Sequence, residues 1–351
     1  MKDKDYVLVI GSAHLDILAY YDKCEEEFID KKGSFEYSIG GTAFNIAVDL
    51  ARHSVPVCFY TALKKGSLAT EFIIKRFKKN LINYNYIQFE ELLPESGFIA
   101  HMSEKNLISA VSCMGVENAT LNTETLSSAI ENSKFVVMEC NLAPHQINTV
   151  SKLALSASKM IFMGGVSESK VKRAKNVYSS EENQYPLELL SVSQKEAKAF
   201  LKDYRPNEDP LNICKQAKAK NVVITNGEQG FSVYTEKGEK LDFNPPDVKT
   251  VKSTSGAGDA LIAAICNYAY DNGNVSWKGS SIIELIYSYI EEILSVNTAT
   301  IDGSMKDGEL NFEKDEEGKL EKEFKLSDKI NIIIGVIIAL GTIILVYFTW
   351  R

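Results

Sequence analysis

Five short apolar runs rich in β-branched residues recur through the chain: Val7 to Ile10, Val57 to Tyr60, Phe135 to Met138, Met160 to Met163 and Val222 to Thr225. Helix-like patterns such as Asn45 to Arg52 lie between them. Strands that are apolar at nearly every position are buried on both faces, and strands joined through helices pair in parallel. The expected fold class is therefore α/β, with a mostly parallel sheet covered on both sides. Ligand sites in such sheets lie beyond the C-terminal ends of the strands, where Gly11, Asn141 and Gly256 fall. Two segments, at about 18–38 and 97–113, alternate polar with apolar residues and do not read as buried parallel strands. They are expected to form a small antiparallel lid over the site that excludes water.

The stretch Ser253-Thr254-Ser255-Gly256-Ala257-Gly258-Asp259-Ala260 carries the most chemical information. Val248 to Val251 supplies a β-branched approach, and Leu261 to Ile265 an apolar helical run, so the glycines sit at a helix N-terminus. Unpaired backbone N–H groups and the positive end of the helix dipole converge there, which suits a phosphoryl group in transfer. A carboxylate beside such an anion site needs a reason, and Asp259 has one if it takes the proton of an attacking hydroxyl. A dinucleotide fingerprint fails because Leu261 stands where its third glycine belongs, and no Walker-type Gly-Lys-Ser/Thr loop occurs. A plain turn with a helix-starting Asp is the structural alternative.

These residues resemble the C-terminal signature, Asp-Thr-x-Gly-Ala-Gly-Asp, of the ribokinase-like (PfkB) family of carbohydrate and nucleoside kinases. Ser38 to Arg52, with Gly40-Gly41, Asn45 and a terminal Leu50-Ala51-Arg52, resembles the family's N-terminal signature, and Tyr6 to Ile10 followed by Gly11-Ser12-Ala13-His14-Leu15-Asp16 resembles its opening strand. Each also makes sense alone. Gly40-Gly41 lets the backbone approach a ligand closely, Asn45 offers a donor and an acceptor, and Asp16 has two oxygens for hydroxyls. The resemblance implies a three-layer α/β/α kinase domain over residues 1–304. It also implies ATP and magnesium as cofactors and a sugar or nucleoside as acceptor. Asp259 is then the catalytic base, with Gly256, Ala257 and Gly258 stabilising the transferring group, and Asp16, Gly40, Gly41 and Asn45 binding the acceptor. Leu189 to Ala197 resembles the family's Asn-x-x-Glu segment, which gives Glu196 the magnesium role, commonly through water. Val222 to Gly230 resembles its Thr-x-Gly-x-x-Gly nucleotide loop, with Thr225, Gly227 and Gly230.

Within the family, Gly97 to Met102, Leu107 to Met114 and Glu139-Cys140-Asn141-Leu142 are similar to lid strands and a strand end of pseudouridine kinases. Three positions depart from the family. Ser253 replaces the Asp associated with a monovalent-cation site and leaves potassium activation in question. Ser193 replaces the Asn of Asn-x-x-Glu, and Cys113 the Asp of an Asp-Met lid contact. They support a rival reading, a pseudokinase kept as a membrane-attached binding or scaffolding module. The intact Gly-Ala-Gly-Asp turn speaks against it. Homodimerisation through the lid stays open.

The net charge of −8, with no basic cluster interleaved with aromatics, argues against a nucleic-acid partner. Six scattered cysteines without pair spacing fit reduced thiols. The N-terminus has no apolar run before the first strand, so a secretory signal is not expected. At the other end, 305–329 is dominated by Asp, Glu and Lys and reads as a solvated linker. Ile332 to Trp350 is uncharged and, at about 1.5 Å per residue, spans roughly 28 Å as a helix, close to the ~30 Å hydrocarbon thickness. Tyr347, Phe348 and Trp350 resemble an interfacial belt. The segment 330–351 is expected to be a C-terminal transmembrane helix that tethers a kinase domain facing the cytosol.

Overall fold

The computed structural model describes residues 5–21, 32–103, 106–180, 183–205, 208–248, 251 and 256–295. The chain opens with β1 (Tyr6–Ile10), the hairpin β2 (His14–Tyr21) and β3 (Gly33–Gly40), and helix α1 (Thr42–Arg52). Strands β4 (Val57–Tyr60) and β5 (Ala62–Lys64), helix α2 (Leu68–Lys79) and β6 (Gln88–Glu90) follow, then a second hairpin of β7 (Gly97–Ser103) and β8 (Asn106–Cys113). Next come α3 (Thr123–Glu131), β9 (Ser133–Glu139), α4 (Pro144–Ser156), β10 (Ile161–Gly164), β11 (Leu187–Ser193) and α5 (Gln194–Phe200). The remaining elements are α6 (Pro210–Ala217), β12 (Ala219–Thr225), β13 (Phe231–Thr235), β14 (Lys240–Phe243), α7 (Ala257–Asn272) and α8 (Ser281–Ser295).

Eight strands form one sheet in the order β14-β13-β12-β11-β10-β9-β1-β4. Every pair from β12 to β4 is parallel, and β13 and β14 add an antiparallel edge. Four of the five apolar runs lie wholly in its strands, and Met160 to Met163 does so from its second residue. Alternation along them feeds two cores: Leu8, Ile10, Val136 and Met138 pack toward α3 to α6, while Val7, Val9, Phe135 and Val137 pack toward α1, α2, α7 and α8. Helix α8 shows the matching stripe, with Ile282, Ile286, Tyr289, Ile290 and Ile293 buried at helical spacing. Such burial of an apolar side chain contributes about 1.5–3 kcal/mol. The result is the expected three-layer α/β/α arrangement. From β1 the chain moves to β4 on one side and later to β9 on the other, so the strand order reverses at β1 and opens a crevice at its C-terminal end.

The lid is a four-stranded sheet in the order β3-β2-β7-β8. It corrects the expectation of an antiparallel lid: β2 pairs with β3 and β7 with β8 antiparallel, but the central pair β2/β7, where the two hairpins meet, is parallel. The lid also starts earlier than expected, so Asp16 is the third residue of β2 rather than a loop residue past β1. A second correction concerns the approach to the glycine turn: Val248 and Val251 are not in a strand. Ser253 and the expected linker and anchor, 305–329 and 330–351, lie outside the described residues. Among the described residues no helix is long and apolar enough to cross a membrane.

Candidate active site

The floor of the crevice is built where β1 and β9 end. Glu139, fully buried at the end of β9, accepts the backbone N–H of Ser12 at 2.8 Å and of Asn141 at 2.6 Å. Burial holds its carboxyl above the usual range, against those two donors and the nearby Lys170 and His14. Asn141 Nδ2 donates to Ser12 Oγ at 2.8 Å, and Lys170 Nζ donates to Asn141 Oδ1 at 2.5 Å. Arg173 braces the same loop, with Nη1 shared among the carbonyls of Cys140, Asn141 and Leu142 and Nη2 paired with Glu117.

On the lid side, Asp16 pairs with Ser38 across β2/β3 and its carboxylate reaches diagonally to Gly40, the partner of His14. A Cβ at Gly40 would stand 2.2 Å from Asp16 Oδ2, so the missing side chain is what gives the carboxylate its place. His14 Nδ1 meets Asp16 Oδ1 at 2.6 Å and occupies one of the two oxygens expected to receive acceptor hydroxyls. Gly41, at φ +117° and the N-cap of α1, leaves room for the Ser12 carbonyl, which a Cβ would meet at 2.5 Å. One turn into α1, Asn45 Nδ2 donates to Asp259 Oδ2 at 2.7 Å. The amide expected to hold acceptor hydroxyls thus spends one of its two N–H donors on the candidate base.

Asp259 lies in the first turn of α7, whose N-cap is Gly256 in the left-handed region at φ +85°. The first helical bond among the described residues is Ala260 N–H to the Gly256 carbonyl at 2.8 Å, and the amides of Ala257 and Gly258 precede it with no backbone acceptor among those residues. Among the described residues nothing stands within 4 Å of where a Gly258 Cβ would be. The Asp259 carboxyl is pushed up to about 7, by burial first and then by the charges of Glu139 and Glu196, outweighing the hydrogen bonds from Asn45 and Thr42. A carboxylate with this affinity for a proton suits a general base near neutral pH.

The residues expected on the nucleotide side gather one step along the sheet. Thr225 ends β12 and sits in register with Ser193 at the end of β11. Gly227 opens a short 3-10 turn, and Gly230 closes it beneath the Phe243 carbonyl. Ser193 is the N-cap of α5: its Oγ accepts the Glu196 N–H at 3.3 Å while Glu196 Oε2 accepts the Ser193 N–H at 2.7 Å. This capping box explains a serine at that position. It also buries Glu196 instead of leaving it a solvated helix residue. A Cβ at Gly165 would stand 2.8 Å from Glu196 Oε2, so that glycine keeps the carboxyl's surroundings open. Among the described residues no three His, Cys, Asp or Glu side chains group closely enough to hold a metal alone. One buried carboxylate with an open flank fits an ion held mostly by water and phosphate oxygens.

Lid, base and floor therefore meet through Asp16, Gly40, Gly41, Asn45 and Asp259, while Thr225, Gly227 and Gly230 lie nearer Glu196. Sequence reasoning assigned no role to Ser12, Thr42, Glu139, Gly164-Gly165 or Lys170. The end of β9 was recognisable by its motif. The others are joined to the site by the crossing of chain segments, 29 residues apart for Lys170 and Asn141 and 127 for Ser12 and Glu139.

The pfkB family carbohydrate kinase model matches residues 4–276. The chain is 22% identical over 281 residues to the pseudouridine kinase of Escherichia coli K12, covering 76% of this chain and 84% of that one. Among solved structures it is similar to ribokinase of Arabidopsis thaliana complexed with ribose and ATP, with a TM-score of 0.62, 16% identity and coverage of 80% and 98% of the two chains. It is also similar to adenosine kinase of Schistosoma mansoni in complex with 2-fluoroadenosine, with a TM-score of 0.65, 17% identity and coverage of 84% and 97%.

Proposed function

The chain belongs to the pfkB family of carbohydrate kinases, and from that premise we propose that it moves the γ-phosphoryl group of ATP to a hydroxyl of a sugar or nucleoside, with Asp259 as the base. The observation that carries this reading is the 2.7 Å bond from Asn45 to Asp259, which joins the lid-side acceptor residues to the first turn of α7. The acceptor lies between Asp16 and Asp259, oriented by Asp16 and by the backbone at Gly40 and Gly41. Its hydroxyl proton passes to an Asp259 oxygen as the new O–P bond forms and the bond to ADP breaks. The amides at Gly256, Ala257 and Gly258 stabilise the charge on the group in transit. Thr225, Gly227 and Gly230 bind the nucleotide.

Glu196 is the residue that would hold magnesium, through water, and the ion's chemistry there is to neutralise phosphate charge. The similarity to a pseudouridine kinase favours a nucleoside such as pseudouridine over a free hexose. The outer face of the lid carries a row of Tyr37, Ile17, Ile99 and Val111 in register across its four strands, and Phe35, Ile99 and Val111 are exposed. A second copy covering that row would give a homodimer. The apolar tail at 330–351 would tether the enzyme to a membrane with the kinase domain in the cytosol.

ATP consumption against a panel of pseudouridine, other nucleosides, ribose and hexoses, with magnesium and with or without potassium, tests the reading. Transfer to one acceptor is expected. Binding of ATP or a nucleoside with no transfer to any acceptor would favour the pseudokinase.

A further inference from the structure

Resting on the phosphoryl-transfer reading above, we propose that Lys170 is a further catalytic residue, whose ammonium contacts the phosphoryl group while it is transferred. Lys170 follows the Gly164-Gly165 end of β10. A Cβ at Gly164 would lie 3.1 Å from Ile262 of α7 and 3.4 Å from Thr42 of α1, and one at Gly165 against Glu196. The segment that delivers Lys170 thus passes between the helices bearing the base and the metal-side carboxylate. Its Nζ is held at 2.5 Å by Asn141 Oδ1, and Asn141 is itself fixed by Ser12.

Charge gives this position its meaning. Glu139 and Glu196 are close enough to raise the proton affinity of Asp259, and a phosphoryl group brings further negative charge among them. Among the described residues, Lys170 and Arg173 bring cations to the strand end. Arg173 is occupied by three carbonyls and Glu117. Lys170 uses one of its three N–H donors on a neutral amide and makes no ion pair among the described residues. A lysine serving only to neutralise buried Glu139 would pair with that carboxylate directly; Glu139 is instead satisfied by two backbone amides. Lys170 stands half-buried beside the acidic site with donors to spare. In the step, the acceptor O–P bond forms, the bond to ADP breaks and the proton goes to Asp259. Lys170 keeps its proton throughout and supplies charge alone.

The test compares the full-length wild type with Lys170→Gln and Lys170→Arg, measuring kcat, KM for ATP and acceptor, and the melting temperature. Lys170→Gln should lower kcat about 100-fold with acceptor KM nearly unchanged and the melting temperature preserved, and Lys170→Arg should recover at least about tenfold of the loss. An active wild type with an equally active Lys170→Gln overturns the inference. A loss in Lys170→Gln matched by a fall in melting temperature, with no recovery in Lys170→Arg, also overturns it and makes the lysine structural. A wild type that phosphorylates no acceptor would instead refute the reading on which the inference rests.

Discussion

Replacing Asp49 with Asn should make the protein less sensitive to rising pH. Asp49 lies one turn after Asn45 on α1, only 6% exposed. Its carboxyl is pushed up to about 8, by burial first and by the charges of Asp259 and Glu292, with Arg52 opposing. The surrounding packing is tight: His53, one turn further on, stacks on Tyr289 of α8 with ring centroids 3.6 Å apart, and Arg52 reaches Glu292 at 3.8 Å. Because the folded-state value lies above the unfolded one, the folded protein binds the extra proton between about pH 4 and 8. Stability must therefore fall with rising pH across that window, by about 1.4 kcal/mol per unit for one proton. Asp49→Asn removes this loss. Its stability relative to wild type should grow by roughly 2–3 kcal/mol from pH 5 to pH 7 and level off above pH 8. Urea unfolding followed by circular dichroism, with matched m values, reads the difference. Parallel stability curves for the two proteins across this range would refute the reasoning, because they would mean Asp49 binds its proton equally in both states.

Two further predictions concern the base and the core. Asn45→Ala deletes a hydrogen bond that lowers the Asp259 value, so the acid limb of kcat/KM, along which activity falls as pH drops through that value, should move upward from about 7 by roughly half a unit to one unit; an unmoved limb would separate Asn45 from the base. Thr61 is fully buried, with an Oγ1 that finds no hydrogen-bond partner among the described residues, so Thr61→Val should raise unfolding free energy by about 1 kcal/mol. A loss of stability in the same urea titration would show the hydroxyl to be satisfied.

Much of the fold was legible because its signal is local. Runs such as Val7 to Ile10 are apolar at successive positions, and that alone implies burial on both faces. The helix start at Gly256 and Asp259 was equally readable, since a left-handed turn before an apolar run leaves little else to build. The parallel centre of the lid was not legible: hairpins advertise their own antiparallel pairing, while the contact of β2 with β7 depends on how two hairpins meet. The role of Asn45 escaped for a similar reason. Its donor is used by a residue 214 positions away, and no spacing within α1 encodes that partner. Ser193 stood out in the sequence only as a departure from the family's Asn; in the fold it is the N-cap of α5. Lys170 sits in Ser167-Glu168-Ser169-Lys170, a stretch that reads as an ordinary polar loop until β10 aims it at the end of β9.

The central claim is that Asp259 takes the acceptor's proton, and the most direct measurement is single-turnover phosphoryl transfer by the wild type and by Asp259→Asn on the acceptor that the wild type uses. Asn keeps the shape and the bond to Asn45 within reach but cannot serve as the base. The rate should fall about 10²–10⁴-fold with nucleotide binding retained. Transfer at the wild-type rate in Asp259→Asn would contradict it.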